Sequence, residues 1–248
     1  MNTLDRLAPQ QRPTGRVVMR PIWDDLLFLH WDFAPDVVQR LLPPGLEVDT
    51  YEGRAWVGLV PFTMRDVRPY WLPKLGHLGA FYETFPELNV RTYVVRDGIP
   101  GVWFFSLDAG SSFAVLAARL WFKLPYFKAR MHLHRGRDGL VRYGSRRLWP
   151  HPLPARCATR YRIEGEAAPA PVGSLEHFLV ERYVLYSRRG KALFRGRVHH
   201  APYQVQAAKV EHLRESCLSA AGLTRLQNAP HALYARRVAV EVFDLERC

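Results

Sequence analysis

Phe85-Pro86-Glu87-Leu88-Asn89-Val90-Arg91-Thr92-Tyr93-Val94 (FPELNVRTYV, 85–94) is the stretch on which the reading of this chain turns. Residues two apart in an extended strand share a face. One face then carries Phe85, Glu87, Asn89, Arg91 and Tyr93, and the other carries Pro86, Leu88, Val90, Thr92 and Val94. The second is ordinary core surface. The first sets a carboxyl, an amide, a guanidinium and a phenol in one row. Two readings are open. Either the row is solvated, and Glu87–Arg91 is a surface pair contributing up to about 1 kcal/mol, or it lines a barrel interior where polar groups converge on a small ligand. The next run, GVWFFSLDA (101–109), is hydrophobic on both faces, with Val102, Phe104 and Ser106 opposite Trp103, Phe105 and Leu107. A strand buried on both sides sits centrally, so its partner does not face bulk water. Asp108 at its end becomes a second carboxyl at the rim.

Outward from this pair the chain reads as many short strands and a few short helices. Residues 1–16 read as a flexible arm, 17–33 as an extended strand, and 34–45 as a short helix started at Pro35 and stopped by Pro43-Pro44-Gly45. LEVDTYEGRAWVGLVPFTM (46–64) reads as a hairpin turning at Glu52-Gly53, and 65–84 as a loop of about 20 residues, a length that is often functional. Residues 112–122 have helical propensity. Further strands follow, with a Pro/Ala linker at 167–172, a short helix at SLEHFLVERY and another near 213–222. The pattern gives one mostly-β α+β domain over 17–248, with a curved or closed sheet.

The 248 residues are 48% hydrophobic and 23% charged, which argues against disorder and allows a substantial core. No window approaches 18 apolar residues, and the polar N-terminus lacks a signal-peptide stretch, so a cytoplasmic protein without a membrane span is expected. Cys157, Cys217 and Cys248 are odd in number and far apart, which argues against a disulfide framework or a thiolate zinc site. The net charge is +12, but of the 35 basic residues only five are lysines, leaving 30 arginines. The arginines are scattered in singles and pairs, a pattern that GC-rich coding produces as readily as phosphate binding. A nucleic-acid partner is therefore a third reading only.

FPELNVRTYV, GVWFFSLDA and ARLWFKLPYFKARM (118–131), following LLPPGLEVDTYEGRAWVGLVPF (41–62), resemble the YqjF-like family of bacterial proteins. That family is similar in fold to acetoacetate decarboxylase, which implies a cone-shaped β-barrel with a polar internal cavity. The decarboxylases carry a Gly-aromatic-Pro-Lys-Lys tract whose first lysine forms a Schiff base and whose second lowers its pKa. The matching tract here is Lys123-Leu124-Pro125-Tyr126-Phe127-Lys128, and alignment on the proline puts Tyr126 and Phe127 at the two lysine positions. The nucleophile is missing, so the resemblance does not extend to imine chemistry. The acid that orients substrate in the decarboxylases is matched by Glu87.

The resulting expectation is a cavity floored by Glu87, Asn89 and Arg91, with Tyr93, Tyr126, Trp103, Asp108 and Arg119 around it. Trp31 and Trp56 are further candidates for its walls. Glu87 and Tyr126 are the candidates for proton chemistry. Arg91 and Arg119 suit a carboxylate clamp, although a structural salt bridge is the favoured reading for Arg119, which sits in an Ala-rich helical stretch. His132 and His134 share a strand face but lack further ligands, so no metal and no cofactor is expected. There is no GxSxG elbow, P-loop or GxGxxG. Two function classes stay open: a binder of a small carboxylate- or carbonyl-containing molecule, and a lyase- or hydrolase-type enzyme using acid/base chemistry. Self-association is compatible with either.

Overall fold

The computed structural model describes residues 4–67, 83–150, 154–225 and 228–248. Fifteen strands form one sheet system, β1 (Val17–Met19), β2 (Ile22–Phe33), β3 (Glu47–Val48), β4 (Thr50–Tyr51), β5 (Arg54–Val67), β6 (Glu83–Arg96), β7 (Ile99–Ala109), β8 (Tyr126–Arg135), β9 (Val141–Trp149), β10 (Arg156–Pro169), β11 (Val184–Arg189), β12 (Ala192–His200), β13 (Gln204–Glu215), β14 (His231–Phe243) and β15 (Glu246–Arg247). Four short helices are α1 (Pro35–Gln39), α2 (Ser112–Trp121), α3 (Leu175–Val180) and α4 (Cys217–Ala220). The loop expected over 65–84 is shorter at both ends, because β5 and β6 continue to Val67 and from Glu83. Its middle, 68–82, lies outside the described residues. The linker expected from 167 begins later, because β10 stays paired with β13 as far as Pro169↔Gln204.

Local sequence explains the hairpins. Asp97 and Gly98 both have positive φ, 51° and 72°, as do Glu52 and Gly53, at 49° and 73°. That is the two-residue turn whose twist matches the strands it joins. The first folds β6 onto β7 and the second folds β4 onto β5, antiparallel in each case.

The pairings close on themselves twice. One circuit runs β7-β8-β9-β10-β13-β14-β2-β5-β6 and returns to β7; a second runs β7-β11-β12-β14-β2-β5-β6 and also returns to β7. Strands β14, β2, β5, β6 and β7 belong to both. A wall shared in this way is apolar on both faces, as β2 and β5 are. Leu26 and Phe28 of β2 belong to one buried cluster and Leu27 and Leu29 to another. Val60 and Phe62 of β5 divide in the same way from Val57 and Leu59. The first cluster draws on α3 and on the inner face of α2, and the second draws on α4.

A bulge in β7 sets which residues reach which compartment. Val90 pairs with Ser106, but Arg91 pairs with Phe104, so Phe105 is the extra residue. An inserted residue reverses the alternation beyond it. Leu107 therefore joins Val102 and Phe104 on the side of the smaller circuit, contrary to the strict alternation expected from the sequence. The first described residues also lie against the body. Arg6 pairs bidentately with Asp49, one contact measuring 2.7 Å, and Arg12 pairs with Glu241 at 2.6 Å.

Gly58 of β5 sits opposite Arg91. A Cβ there would lie 2.7 Å from His30 Nε2 and 3.5 Å from Arg91 Cγ. His30 is buried and has no space to retreat into. Gly58→Ala is expected to lower stability by about 1–3 kcal/mol, the usual cost of overpacking a filled core. Chemical denaturation against wild type measures it; an unchanged midpoint would mean that the contact is easily relieved.

Candidate functional site

Strand β6 supplies the core of the site. Phe85, Glu87, Asn89 and Arg91 all line a cavity of about 170 Å³ inside the smaller circuit, while Leu88 and Val90 pack on the far side of the wall. The pairing register fixes what stands beside them. Asn89 pairs with Leu107 of β7, and Leu107 pairs with Tyr126, the first residue of β8. Tyr126 thereby reaches Glu87, donating its hydroxyl to the carboxyl at 3.1 and 3.2 Å.

Apart from Glu87, Asn89, Arg91 and Tyr126, the polar side chains lining the cavity among the described residues are Arg182 and Tyr203. The remaining lining is apolar, including Trp23, Leu26, Phe62, Phe104, Leu124 and Val198. The cavity expected to be polar is thus an apolar chamber with polar groups along one wall. Its volume is below the roughly 300–1,000 Å³ of sites for drug-sized ligands, which limits an occupant to a small molecule.

The electrostatics divide the chamber. Glu87 is 2% exposed, and burial pushes its carboxyl up to about 8. The hydrogen bond from Tyr126 opposes that rise and the Asp108 charge adds to it. Glu87 is accordingly a neutral acid at pH 7. Four residues on, about 13 Å along a strand, Arg91 is 8% exposed and carries no carboxylate partner among the described residues. Its Nη2 donates to the Leu179 carbonyl at 2.9 Å, and its Nε is buried without a partner. The end of α3 provides such carbonyls because the last turn of a helix leaves them unpaired. Tyr93 donates to the same Leu179 oxygen at 2.6 Å, and Arg182 Nε donates to the Phe178 oxygen at 2.8 Å. Arg182 also meets Asp49 at 2.9 Å, so its charge is balanced where that of Arg91 is not. Between the two ends, the Asn89 carbonyl oxygen is buried and unpaired.

Several expected site residues stand elsewhere. Tyr93 is on the expected face but is fully buried, its hydroxyl taken up by Leu179 and by His30 Nε2 at 2.7 Å. Trp103 points away from the cavity into a surface groove, and Arg119 lines that same groove while donating to the Tyr126 carbonyl at 2.7 Å. Asp108 lies beyond the bulge and faces the other compartment. There it pairs with buried Arg147 at 2.7 Å, and burial still holds its carboxyl up at about 6. Trp31 belongs to the far cluster, and Trp56 packs beside the near one without lining the cavity. Phe127, at the second aligned lysine position, faces Arg147, 4.1 Å from its ring centroid. Neither Lys123 nor Lys128 lines the cavity; Lys128 Nζ donates to the Gly110 carbonyl. His132 and His134 are exposed on β8. Among the described residues no group of three His, Cys, Asp or Glu is disposed to hold a metal, and no helix is long and apolar enough to cross a membrane.

Comparison with known proteins accords with this architecture. A family of uncharacterized conserved proteins, DUF2071, matches residues 20–239. The chain belongs to that family. It is 37% identical over 235 residues, 95% of this chain and 94% of the relative, to the uncharacterized protein YqjF of Bacillus subtilis. Among solved structures, the enduracididine biosynthesis enzyme MppR complexed with pyruvate superposes with a TM-score of 0.64 at 13% identity, covering 96% of this chain and 93% of that one. The acetoacetate decarboxylase of Legionella pneumophila gives 0.63 at 11% identity, covering 100% and 97%. An acetoacetate decarboxylase-like enzyme from Sphingomonas wittichii gives 0.60 at 13%, covering 94% of each. At such identities the likeness is one of fold. The DUF2071 chain therefore has the mostly-β acetoacetate decarboxylase-like fold with few short helices.

Arg182 and Tyr203 are the lining residues that sequence reading missed. They come from a turn after α3 and from the start of β13, and no local pattern marks them. Glu87 generates a pH prediction. Its folded pKa of about 8 lies above the ordinary 4.5, so its contribution is fully present below about pH 4.5 and is lost as pH rises through 8. Glu87→Gln removes the ionisation. Between pH 5 and 8.5 the variant should gain stability relative to wild type by up to about 5 kcal/mol, read from urea unfolding. A difference independent of pH would show that Glu87 ionises normally.

Proposed function

We propose that this protein holds a small carboxylate- or carbonyl-containing molecule in the chamber, its anionic group at Arg91 and a carbonyl or second acid group toward Glu87 and Tyr126. The observation that carries this reading is the buried guanidinium of Arg91, which faces the cavity with no carboxylate to balance it. An uncompensated buried charge is costly, and an anionic occupant offsets that cost through charge-assisted hydrogen bonds. The neutral Glu87 acid and the Tyr126 hydroxyl suit an oxygen acceptor at the other end, and the apolar walls suit a short carbon skeleton. The structurally similar MppR is described in complex with pyruvate, a small oxo acid, which supports the same ligand class. Imine formation is not part of this proposal, because Tyr126 stands where the decarboxylases place their nucleophilic lysine.

The neutral acid also favours a second reading. A carboxyl held near pKa 8 beside a phenol can deliver a proton to a carbonyl oxygen at neutral pH, which is general-acid chemistry. On that reading the protein is an acid/base enzyme of the same fold. A nucleic-acid partner draws no support from this chamber, whose volume of about 170 Å³ admits only a small molecule.

Calorimetric titration and thermal shift against short oxo acids, hydroxy acids and dicarboxylates test the proposal. A ligand at 100 times its dissociation constant should add roughly 2.7 kcal/mol of stability. Arg91→Met should weaken binding by at least about tenfold, the scale of a lost charge-assisted hydrogen bond. No binding across the panel, or equal binding by Arg91→Met, would refute the reading. Glu87→Gln then separates the two classes: a binder keeps its affinity within a few-fold, whereas an enzyme keeps binding and loses turnover.

A further inference from the structure

Strand β7 changes partner part-way along one edge. Val102 and Trp103 pair with Leu185 and Tyr186 of β11, whereas Leu107, Asp108 and Ala109 pair with β8. At this split the sheet opens into a groove of about 410 Å³, floored by Phe104 and Leu124 and bordered by the connection from α2 to β8. Phe104 and Leu124 also line the inner chamber, so they form a partition between the two spaces.

The charge of this groove is one-sided. Arg119, Lys123, Arg188 and Arg189 line it, and no Asp or Glu does. Elsewhere many of the chain's arginines meet carboxylates, as in Arg65 and Arg237 on Asp24, Arg135 on Asp25, and Arg162 on Glu211. None of the four groove cations has a carboxylate partner among the described residues. Two are held in place by other contacts. Arg119 donates to the Tyr126 carbonyl, and Lys123, with φ of 55°, sets its ammonium 4.0 Å from the Phe194 ring centroid.

A separate observation points to a ligand. Ser187 lines the same groove, is 2% exposed, and its buried hydroxyl has no hydrogen-bond partner. A buried hydroxyl normally finds one, and leaving it unpaired costs free energy. The hydroxyl is closed to water, so a groove occupant meets it only after the Ser187 side chain turns toward the cations.

We infer that this groove is a binding site for a phosphate group carried on a small molecule. Phosphate brings close to two negative charges and several acceptor oxygens, which suits several cations plus a hydroxyl donor. A monocarboxylate would leave most of these groups unused. The groove falls within the roughly 300–1,000 Å³ of small-molecule sites, and Trp103 offers an aromatic wall for the rest of the ligand. The four cations border one pocket, a compact cluster suited to a single phosphate group. This site is independent of the Arg91 chamber and of what that chamber holds.

Pyrophosphate and inorganic phosphate, titrated into the full-length protein at 150 mM salt (about physiological) and followed by calorimetry and phosphorus NMR, test the inference. Saturable one-to-one binding is expected. The double substitution Lys123→Met with Arg189→Met should weaken it at least about tenfold, Ser187→Ala should weaken it a few-fold, and Arg91→Met should leave it unchanged. The substituted cations carry no ion pair, so the fold should survive, which circular dichroism checks. The inference fails if binding does not saturate, or if the double variant binds like wild type. It also fails if a single-stranded oligonucleotide binds more tightly through the same residues with steep salt dependence, because the groove is then a nucleic-acid surface.

Discussion

The structure depends on a wall that is buried on both of its faces. Strands β14, β2, β5, β6 and β7 take part in two closed circuits of backbone pairing at once, and along the middle of β2, β5 and β6 neither face is solvated. Every side chain on the middle of β2, from Leu26 to Trp31, is removed from water, odd and even positions into different clusters. The hydrophobic term therefore acts on both faces of one set of strands, and the polar residues that remain on them are exceptional. Glu87, Asn89 and Arg91 are such exceptions, held at two-residue intervals on a single face of β6.

That setting gives the three residues properties they would not have at a surface. The same Glu and Arg on an exposed strand would both be charged, hydrated and energetically unimportant. Inside the wall burial keeps the carboxyl neutral against the opposing pull of the hydrogen bond that Tyr126 donates from across β7. The guanidinium is anchored by a hydrogen bond that it donates to the Leu179 carbonyl in the last turn of α3. A short helix inserted between distant strands thus equips one end of the chamber, and a single residue at the start of β8 equips the other.

How far this was legible from sequence varied with the range of the cause. The alternation of FPELNVRTYV is a local property, and it correctly grouped Phe85, Glu87, Asn89 and Arg91 on one surface. The turns at Glu52-Gly53 and Asp97-Gly98 were equally local. Strict alternation sets one of Trp103 and Asp108 in the chamber, five residues apart as they are, whereas the bulge at Phe105, which has no sequence signature of its own, turns both away from it. Tyr93 was put on the right face, but the helix carbonyl that engages it lies 86 residues away. Arg182 and Tyr203 could not be found at all, since only the folded circuit brings them beside β6.

The bulge also limits how this chain can vary in length. Upstream and downstream of Phe105 the two halves of β7 are out of phase, so the strand behaves as two rulers joined at one residue. Removing that residue would set Phe104 and Leu107 two apart, in regular alternation on the chamber side, with Asp108 still turned toward Arg147. A second added residue, by contrast, would either widen the bulge or turn Asp108 into the chamber and leave Arg147 buried beside nothing of opposite sign. In β7 an added residue is therefore worse tolerated than a lost one, whereas a hairpin tip such as Asp97-Gly98 could lengthen with little effect on either compartment.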